Sequence, residues 1–280
     1  MRELCIAGAA SRGVAYLGAM ECLRRQGLLC DLETILGVSA GGLVGALWFI
    51  GMSPNEAFGR VMGLDTKNLL DWVLGSESLL RGCEWRRWVF GLLGPYAEVP
   101  MGEFRDAYGD LRLLVACLEE GLVIVSGETM PDMPLGEALL ATMALPFVFP
   151  PVRWGGRTYV DGGLLDNFPL GLLSEDAVGL VADGGRWPEG PLGLLGGLVW
   201  VVSEHMRRLR PEPKGRAIRI GVSDFGMVDF GLSLDDKVTL YMRGYEACVP
   251  YVDETIRKEV RKLLGEVLVD PLVDPQVSCD

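Results

Sequence analysis

The polarity of the chain changes its period several times, and each change marks an element. Residues 4–7 form an unbroken apolar run of strand length, and the turn Gly8-Ala9-Ala10-Ser11-Arg12-Gly13 leads into a helical pattern that Gly27 should end in the left-handed region. Residues 34–38 repeat the short apolar run, Ser39 stands at its end, and residues 40–50 continue with small and apolar side chains as a helix. Ser53-Pro54-Asn55-Glu56 has the spacing of a capping box with a first-turn proline, which predicts a new helix. Residues 112–117 and 122–125 read as paired strands, and residues 135–143 as a helix stopped by Pro146. Gly155-Gly156 can turn a hairpin between residues 152–154 and 158–160, and residues 178–182 read as a core strand. Further on, Val252, Ile256, Val260, Leu263, Leu264 and Val267 share one helical face, with Asp253–Arg257 and Glu254–Lys258 paired on the other.

Strands alternating with helices predict the α/β class, with a mostly parallel sheet covered on both sides. Residues 64–105 are less regular. With Trp72, Trp85, Trp88 and the pair Arg86-Arg87 they read as a cap or lid excursion, or as ordinary amphipathic helices. No linker, repeat or low-complexity segment divides the 280 residues, so a single domain over 1–280 is expected, and 49% hydrophobic residues supply its core.

Charge and cysteine usage narrow the function classes. A formal net charge of −12 argues against general nucleic-acid binding. No run reaches the ~18 apolar residues of a membrane span, and Met1-Arg2-Glu3 enters a strand with no signal-peptide pattern, so a cytoplasmic location is expected. Seven scattered cysteines, with no C-x-x-C pair or histidine cluster, read as buried reduced thiols rather than metal ligands. Residues 191–202 are almost wholly apolar, and Arg207, Arg208, Arg210, Lys214, Arg216 and Arg219 follow. That reads as a peripheral contact with an anionic lipid surface, or as a buried helix and a solvated loop.

Reacting groups in such a sheet gather beyond the carboxyl ends of its strands, where both glycine-bearing turns fall. With 38 glycines and 11 serines, about 0.2 chance Gly-x-Ser-x-Gly matches are expected, so Gly37-Val38-Ser39-Ala40-Gly41 takes its meaning from position. On a sharp strand-to-helix turn a serine hydroxyl is presented, and glycines at 37, 41 and 42 avoid clashes. The Ala40 N–H and the amides of the first turn could hold an oxyanion. A base is also required. The order Ser39, then Asp161 or Asp183, then His205 matches an α/β-hydrolase triad, but there the serine turn follows several strands rather than the second. His205, the one histidine, sits in a polar stretch that suits a surface. A desolvated carboxylate is the alternative base. Asp161 and Asp183 each follow an apolar run and precede two glycines, and spacing does not choose between them. A dinucleotide loop over Gly8 to Gly13 lacks its middle glycine, which is Ala10, and an acidic residue at the end of the second strand.

These blocks resemble the patatin-like phospholipases. The resemblance rests on Gly8 to Gly13, on Gly37 to Gly41, on Pro146-Phe147-Val148-Phe149-Pro150-Pro151, and on Asp161-Gly162-Gly163-Leu164-Leu165-Asp166-Asn167-Phe168-Pro169. Four blocks in order over residues 8–169 are more specific than any one, and the similarity extends to about residue 270. The resemblance implies a three-layer α/β/α fold with a mostly parallel central sheet, and hydrolysis of phospholipid or lysophospholipid esters with no metal or cofactor. Ser39 would be the nucleophile and Asp161 the base, with Asp183 at the end of a later core strand. Gly8, Ala9, Ala10, Ser11, Arg12, Gly13 and Ala40 would form the oxyanion hole, and Gly37, Gly41, Gly162 and Gly163 would support the turns. Arg12 matches a basic position of the family and reads first as ordering the loop; Asp166 and Asn167 read as turn and capping residues. Ala9 and Ala10 stand where the family has consecutive glycines. Positive φ there would cost alanine about 1 kcal/mol or more, which leaves a silent lipid- or protein-binding relative as a further reading.

Overall fold

The computed structural model describes residues 1–62, 78, 80–184, 216–226, 229 and 231–268, with 197, 201–203, 205, 206 and 209 between them. Strand β1 (Glu3–Ile6) leads through a short 3-10 turn to α1 (Val14–Arg25), and β2 (Thr34–Val38) leads to α2 (Ala40–Phe49). Helices α3 (Pro54–Met62), α4 (Cys83–Leu93) and α5 (Met101–Tyr108) precede β3 (Asp110–Cys117) and β4 (Gly121–Val125). Then come α6 (Leu135–Thr142), β5 (Val152–Trp154), β6 (Arg157–Asp161), β7 (Val178–Asp183), β8 (Arg216–Gly221) and α7 (Leu234–Leu268).

Local chemistry explains the boundaries. Gly27 ends the first helix with φ +71°, and Gly155 and Gly156 turn the β5–β6 hairpin with φ of 56° and 77°. At α3, Ser53 Oγ accepts the Glu56 N–H at 3.2 Å, so half of the capping box forms; the Glu56 carboxylate instead takes Arg60 one turn on.

The sheet runs β5-β6-β3-β2-β1-β7-β8, with β4 also on β3. Strands β3, β2, β1, β7 and β8 are mutually parallel. Burial of β1 and β2 on both faces is why these two read as unbroken apolar runs. The sheet is mostly parallel, as expected, with an antiparallel part where β4 and β6 both run against β3. The Leu118–Glu120 turn between β3 and β4 is too short for a parallel crossover.

The chain moves one way across the sheet from β1 to β2 to β3, so right-handed crossovers put α1 and α2 on one face. That face carries Leu4, Ile6, Ile35, Leu111 and Leu113 and forms the large core. On the other face Cys5 packs with Leu170 and Ala177 in a smaller cluster, and the architecture is three-layer α/β/α.

Several expectations are corrected or fall outside the described residues. Cys5, Cys22, Cys117 and Cys248 are buried, but Cys30 and Cys83 are exposed, because the first lies in a turn and the second opens α4 at the surface. Cys279, Trp72, residues 64–77, most of 191–202 and Arg207, Arg208, Arg210 and Lys214 lie outside the described residues, as do the side chains of Asp253, Glu254, Arg257 and Lys258. From Cys83 on, the excursion is mainly helical. Trp85 stacks on Trp88 and on Phe149 with centroids 4.9 and 5.0 Å apart. Arg86 pairs with Glu137 and lies over Phe90, and Arg87 pairs with Glu84. Arg216 and Arg219 are strand residues of β8, and Val201 and Val202 are exposed. No helix among the described residues is long and apolar enough to cross a membrane.

Candidate active site

Strand β3 works as a ruler for the site. On β3, Leu113 and Leu114 pair with both β2 and β4, while Val115 to Cys117 pair with both β4 and β6. A strand has only two edges, so β2 and β6 share the edge opposite β4. The last residue of β2, Val38, is level with Leu114, and the last residue of β6, Asp161, is level with Val115. Two strands of opposite direction thus meet end to end, and their carboxyl ends carry Ser39 and Asp161.

Ser39 turns the chain into α2 with φ 52° and ψ −123°, a region that a non-glycine residue enters only when its surroundings enforce it. Close backbone packing does so: a Cβ on Gly41 would lie 2.2 Å from the Ile6 carbonyl oxygen. The Ser39 N–H donates to Thr142 Oγ1 at 2.9 Å, and that hydroxyl donates to the Leu114 carbonyl at 2.6 Å.

Asp161 is 5% exposed. Its N–H donates to the Ala144 carbonyl at 2.9 Å, and its Oδ1 accepts the Gly163 N–H at 2.8 Å. Burial pushes its carboxyl up to about 6, against the opposing effect of hydrogen bonding from the Ser39 side chain and the Gly163 N–H. A carboxylate in that range is mostly ionised at neutral pH yet basic enough to share a proton with a hydroxyl.

The first glycine-bearing turn lies beside this pair, since a Cβ on Gly8 would fall 3.5 Å from the Ser39 Cβ. Of the two alanines only Ala10 takes a positive φ, 49°; Ala9 has φ −146°. The Gly8 N–H is committed to the Asn167 carbonyl at 3.1 Å and the Arg12 N–H to the Ala9 carbonyl at 3.1 Å, which removes both from the expected oxyanion donors. The N–H groups of Ala9, Ala10, Ser11 and Ala40 make no hydrogen bond among the described residues. Gly13 packs on α2, where a Cβ would lie 2.7 Å from the Ala40 Cβ. Arg12 is buried and orders the loop: Nε donates to the Ala9 carbonyl at 3.2 Å and Nη1 to the Gly184 carbonyl at 2.6 Å.

Two residues do more than their sequence context suggests. Asn167 holds the loop from its side chain as well as its backbone, with Nδ2 donating to the Gly8 carbonyl at 3.0 Å. Its position next to Asp166 signals only a turn, and Asp166 does make one by accepting the Phe168 N–H at 3.1 Å. Thr142 is fully buried at the end of α6. A lone hydroxyl in the otherwise apolar run 138–145 is its only signal.

The other candidates for a base stand apart. Asp183 ends β7, which β1 separates from β2, so it lies roughly 10 Å across the sheet; it is exposed and 3.7 Å from Arg219. His205 is exposed. Among the described residues no group of histidine, cysteine and carboxylate side chains could hold a metal ion.

Several known proteins resemble this chain in sequence or in fold. A family model described as patatin-like phospholipase matches residues 4–174. The uncharacterized protein YqhO of Bacillus subtilis is 28% identical over 197 residues, 60% of this chain and 65% of its own length. The "Probable lipid hydrolase 463L" of invertebrate iridescent virus 6 is 27% identical over 187 residues, 60% of this chain and 62% of its own. Lysophospholipase NTE1 of Meyerozyma guilliermondii is 25% identical over 181 residues, 61% of this chain and 12% of its own. The chain thus spans less than two thirds of the length of these curated relatives. VipD from Legionella pneumophila superposes with a TM-score of 0.67 at 16% identity, covering 90% of this chain and 67% of that one. The type III effector ExoU superposes with a TM-score of 0.50 at 14% identity, covering 90% and 52%. These two structures share the fold. With more than half of its residues matched by the family model and four ordered motif blocks around Ser39 and Asp161, the chain belongs to the patatin-like phospholipase family.

Proposed function

We propose that this protein is a serine acyl hydrolase that cleaves carboxylic esters of phospholipids or lysophospholipids, with Ser39 as nucleophile and Asp161 as its base. The carrying observation is the end-to-end meeting of β2 and β6, which sets a strained serine against a buried carboxyl pushed up to about 6. Asp161 takes the Ser39 hydroxyl proton as Oγ attacks the ester carbonyl. The oxyanion develops toward the uncommitted N–H groups of Ala9, Ala10, Ser11 and Ala40, reinforced by the positive end of α2. As the tetrahedral intermediate collapses, Asp161 passes the proton to the departing alcohol oxygen. Water then attacks the acyl-enzyme with Asp161 again accepting the proton, which frees the fatty acid and regenerates Ser39.

The substrate class is supported by the family and by two relatives, one named a probable lipid hydrolase and one a lysophospholipase. The test joins labelling to turnover. A fluorophosphonate should modify Ser39, read by peptide mass spectrometry, and Ser39→Ala should release no fatty acid from a panel of phospholipids and lysophospholipids that the wild type cleaves. Labelling elsewhere, or undiminished hydrolysis by Ser39→Ala, would refute the assignment.

A further inference from the structure

We infer that Thr142 is a positioning residue for the nucleophile, holding Ser39 at the break between two strand ends so that its hydroxyl addresses Asp161. The inference rests on the reading of Ser39 as nucleophile and adds the residue that sets its place.

The break is a consequence of the sheet. Along one edge of β3 the ladder to β2 stops at Leu114, and the ladder to β6 begins at Val115. At the break the backbone of Ser39 swings out with φ 52°, so its N–H leaves the ladder before α2 can use it. A part-buried N–H needs a partner, and the chain supplies a hydroxyl from the last residue of α6. Thr142 Oγ1 accepts the Ser39 N–H at 2.9 Å and donates to the Leu114 carbonyl at 2.6 Å. Because its one proton is committed to Leu114, a lone pair is left aimed at Ser39. Among side chains of this size only serine and threonine give and accept strong hydrogen bonds at one and the same oxygen. The threonine methyl adds packing, since a Cβ on Gly42 would already lie 3.3 Å from Thr142 Cγ2.

The tether has a specific reach. It links the amide of the nucleophile to Leu114, and the next residue, Val115, is the one Asp161 pairs with. A hydroxyl that touches neither the reacting atoms nor Asp161 therefore sets the relation between Ser39 Oγ and the carboxylate. A displacement near 1 Å at such a site can cost about a hundredfold in rate with little effect on binding.

The experiment uses Thr142→Val, Thr142→Ala and Thr142→Ser, each measured per folded molecule after near-ultraviolet circular dichroism and a thermal melt. Hydrolysis of a soluble p-nitrophenyl ester gives kcat and KM, and the rate of Ser39 phosphonylation gives nucleophile reactivity without turnover. Val and Ala should lower kcat by about 10- to 100-fold with KM within about threefold, and phosphonylation should slow in parallel. Ser should stay within about threefold of wild type in both. If Val does not fold, the contrast of Ala with Ser decides. A wild-type kcat in Val or Ala, whatever the loss in melting temperature, would reduce Thr142 to a packing residue and overturn the inference. Ser as slow as Ala would do the same. A wild type that neither labels at Ser39 nor hydrolyses the ester overturns the nucleophile assignment and this inference together, whereas an active wild type with unaffected variants overturns this inference alone.

Discussion

Replacing Asp161 by Asn should make the protein more stable at neutral pH while removing its ester hydrolysis. The carboxyl is 5% exposed, and its proton affinity in the folded chain is raised from 3.8 to about 6. The difference of about 2.2, at about 1.36 kcal/mol for each pH unit, corresponds to roughly 3 kcal/mol. The sign follows from which state holds the proton more tightly. Below about pH 3.8 both the folded and unfolded chains carry the protonated acid, and burial costs nothing extra. As pH rises from there to about 6 the unfolded chain ionises first, so the folded state loses stability; above about 6 the full cost is present. Asn cannot ionise, and its Oδ1 can still accept the Gly163 N–H. Its amide can lose or gain a hydrogen bond to Ser39, but that contribution does not vary with pH. The slope is therefore diagnostic and the absolute offset is not. Urea unfolding of both proteins at intervals from about pH 4 to about pH 8 should give a difference that grows by about 2.4 kcal/mol in favour of Asp161→Asn and levels off above about pH 7. Effects common to both proteins, such as the Glu21 carboxyl held low chiefly by its hydrogen bond from Arg24, cancel in that difference. Over the same window, wild-type hydrolysis should rise with pH through about 6 as Asp161 becomes the base. A difference flat to within about 0.5 kcal/mol, or one that shrinks with pH, would refute a desolvated Asp161 and with it the carboxylate as base.

Four further variants can be read with ordinary assays. Gly41→Ala places a Cβ 2.2 Å from one carbonyl oxygen and 2.6 Å from the next, both immobile backbone, and should cost roughly 3 kcal/mol or more, seen as lost soluble yield; Gly59→Ala in α3 meets nothing within 4 Å and should raise the melting temperature, by about 0.5–1 kcal/mol of stability. Ala10→Gly trades the strain at φ 49° for the greater unfolded-state freedom of glycine, so melting should change by no more than about 1 kcal/mol and Ser39 labelling should persist; a larger loss would mean that the methyl, exposed as it is, holds the loop. His205→Ala should leave ester hydrolysis within about twofold, since the ring is exposed, and a loss above about a hundredfold in a folded protein would restore the histidine triad.

Where pattern and packing coincide, the sequence was legible. The strand expected over 34–38 is the β2 that forms, because a strand buried on both faces has no polar position to blur its ends. Gly27 and the Gly155-Gly156 pair were readable for a related reason, each taking the positive φ that only glycine reaches cheaply. Ala10 is the converse case. Its φ of 49° is imposed by the loop around it, and no residue-level preference announces it. Thr142 was hidden in another way, because a threonine in an apolar helical run reads as a tolerated substitution until Ser39 and Leu114 are brought to its hydroxyl.

The aspartates show most clearly where local reading ends. Val160-Asp161-Gly162-Gly163 and Ala182-Asp183-Gly184-Gly185 have the same chemistry within four residues, and the same turn-forming glycines follow each. Their difference is set by strand order and direction. Strand β6 runs against β3 on the edge it shares with β2, so its carboxyl end is driven into the carboxyl end of β2, and Asp161 is trapped there beneath Ala144 and Gly163. Strand β7 runs parallel to β1, and at its end the Asp183 side chain is exposed, near Arg219. The same carboxyl becomes a desolvated neighbour of a serine in one place and an ordinary surface acid in the other. The deciding interaction is the antiparallel pairing of Val115 with Asp161, a contact between segments far apart in the chain that no local pattern in either segment encodes.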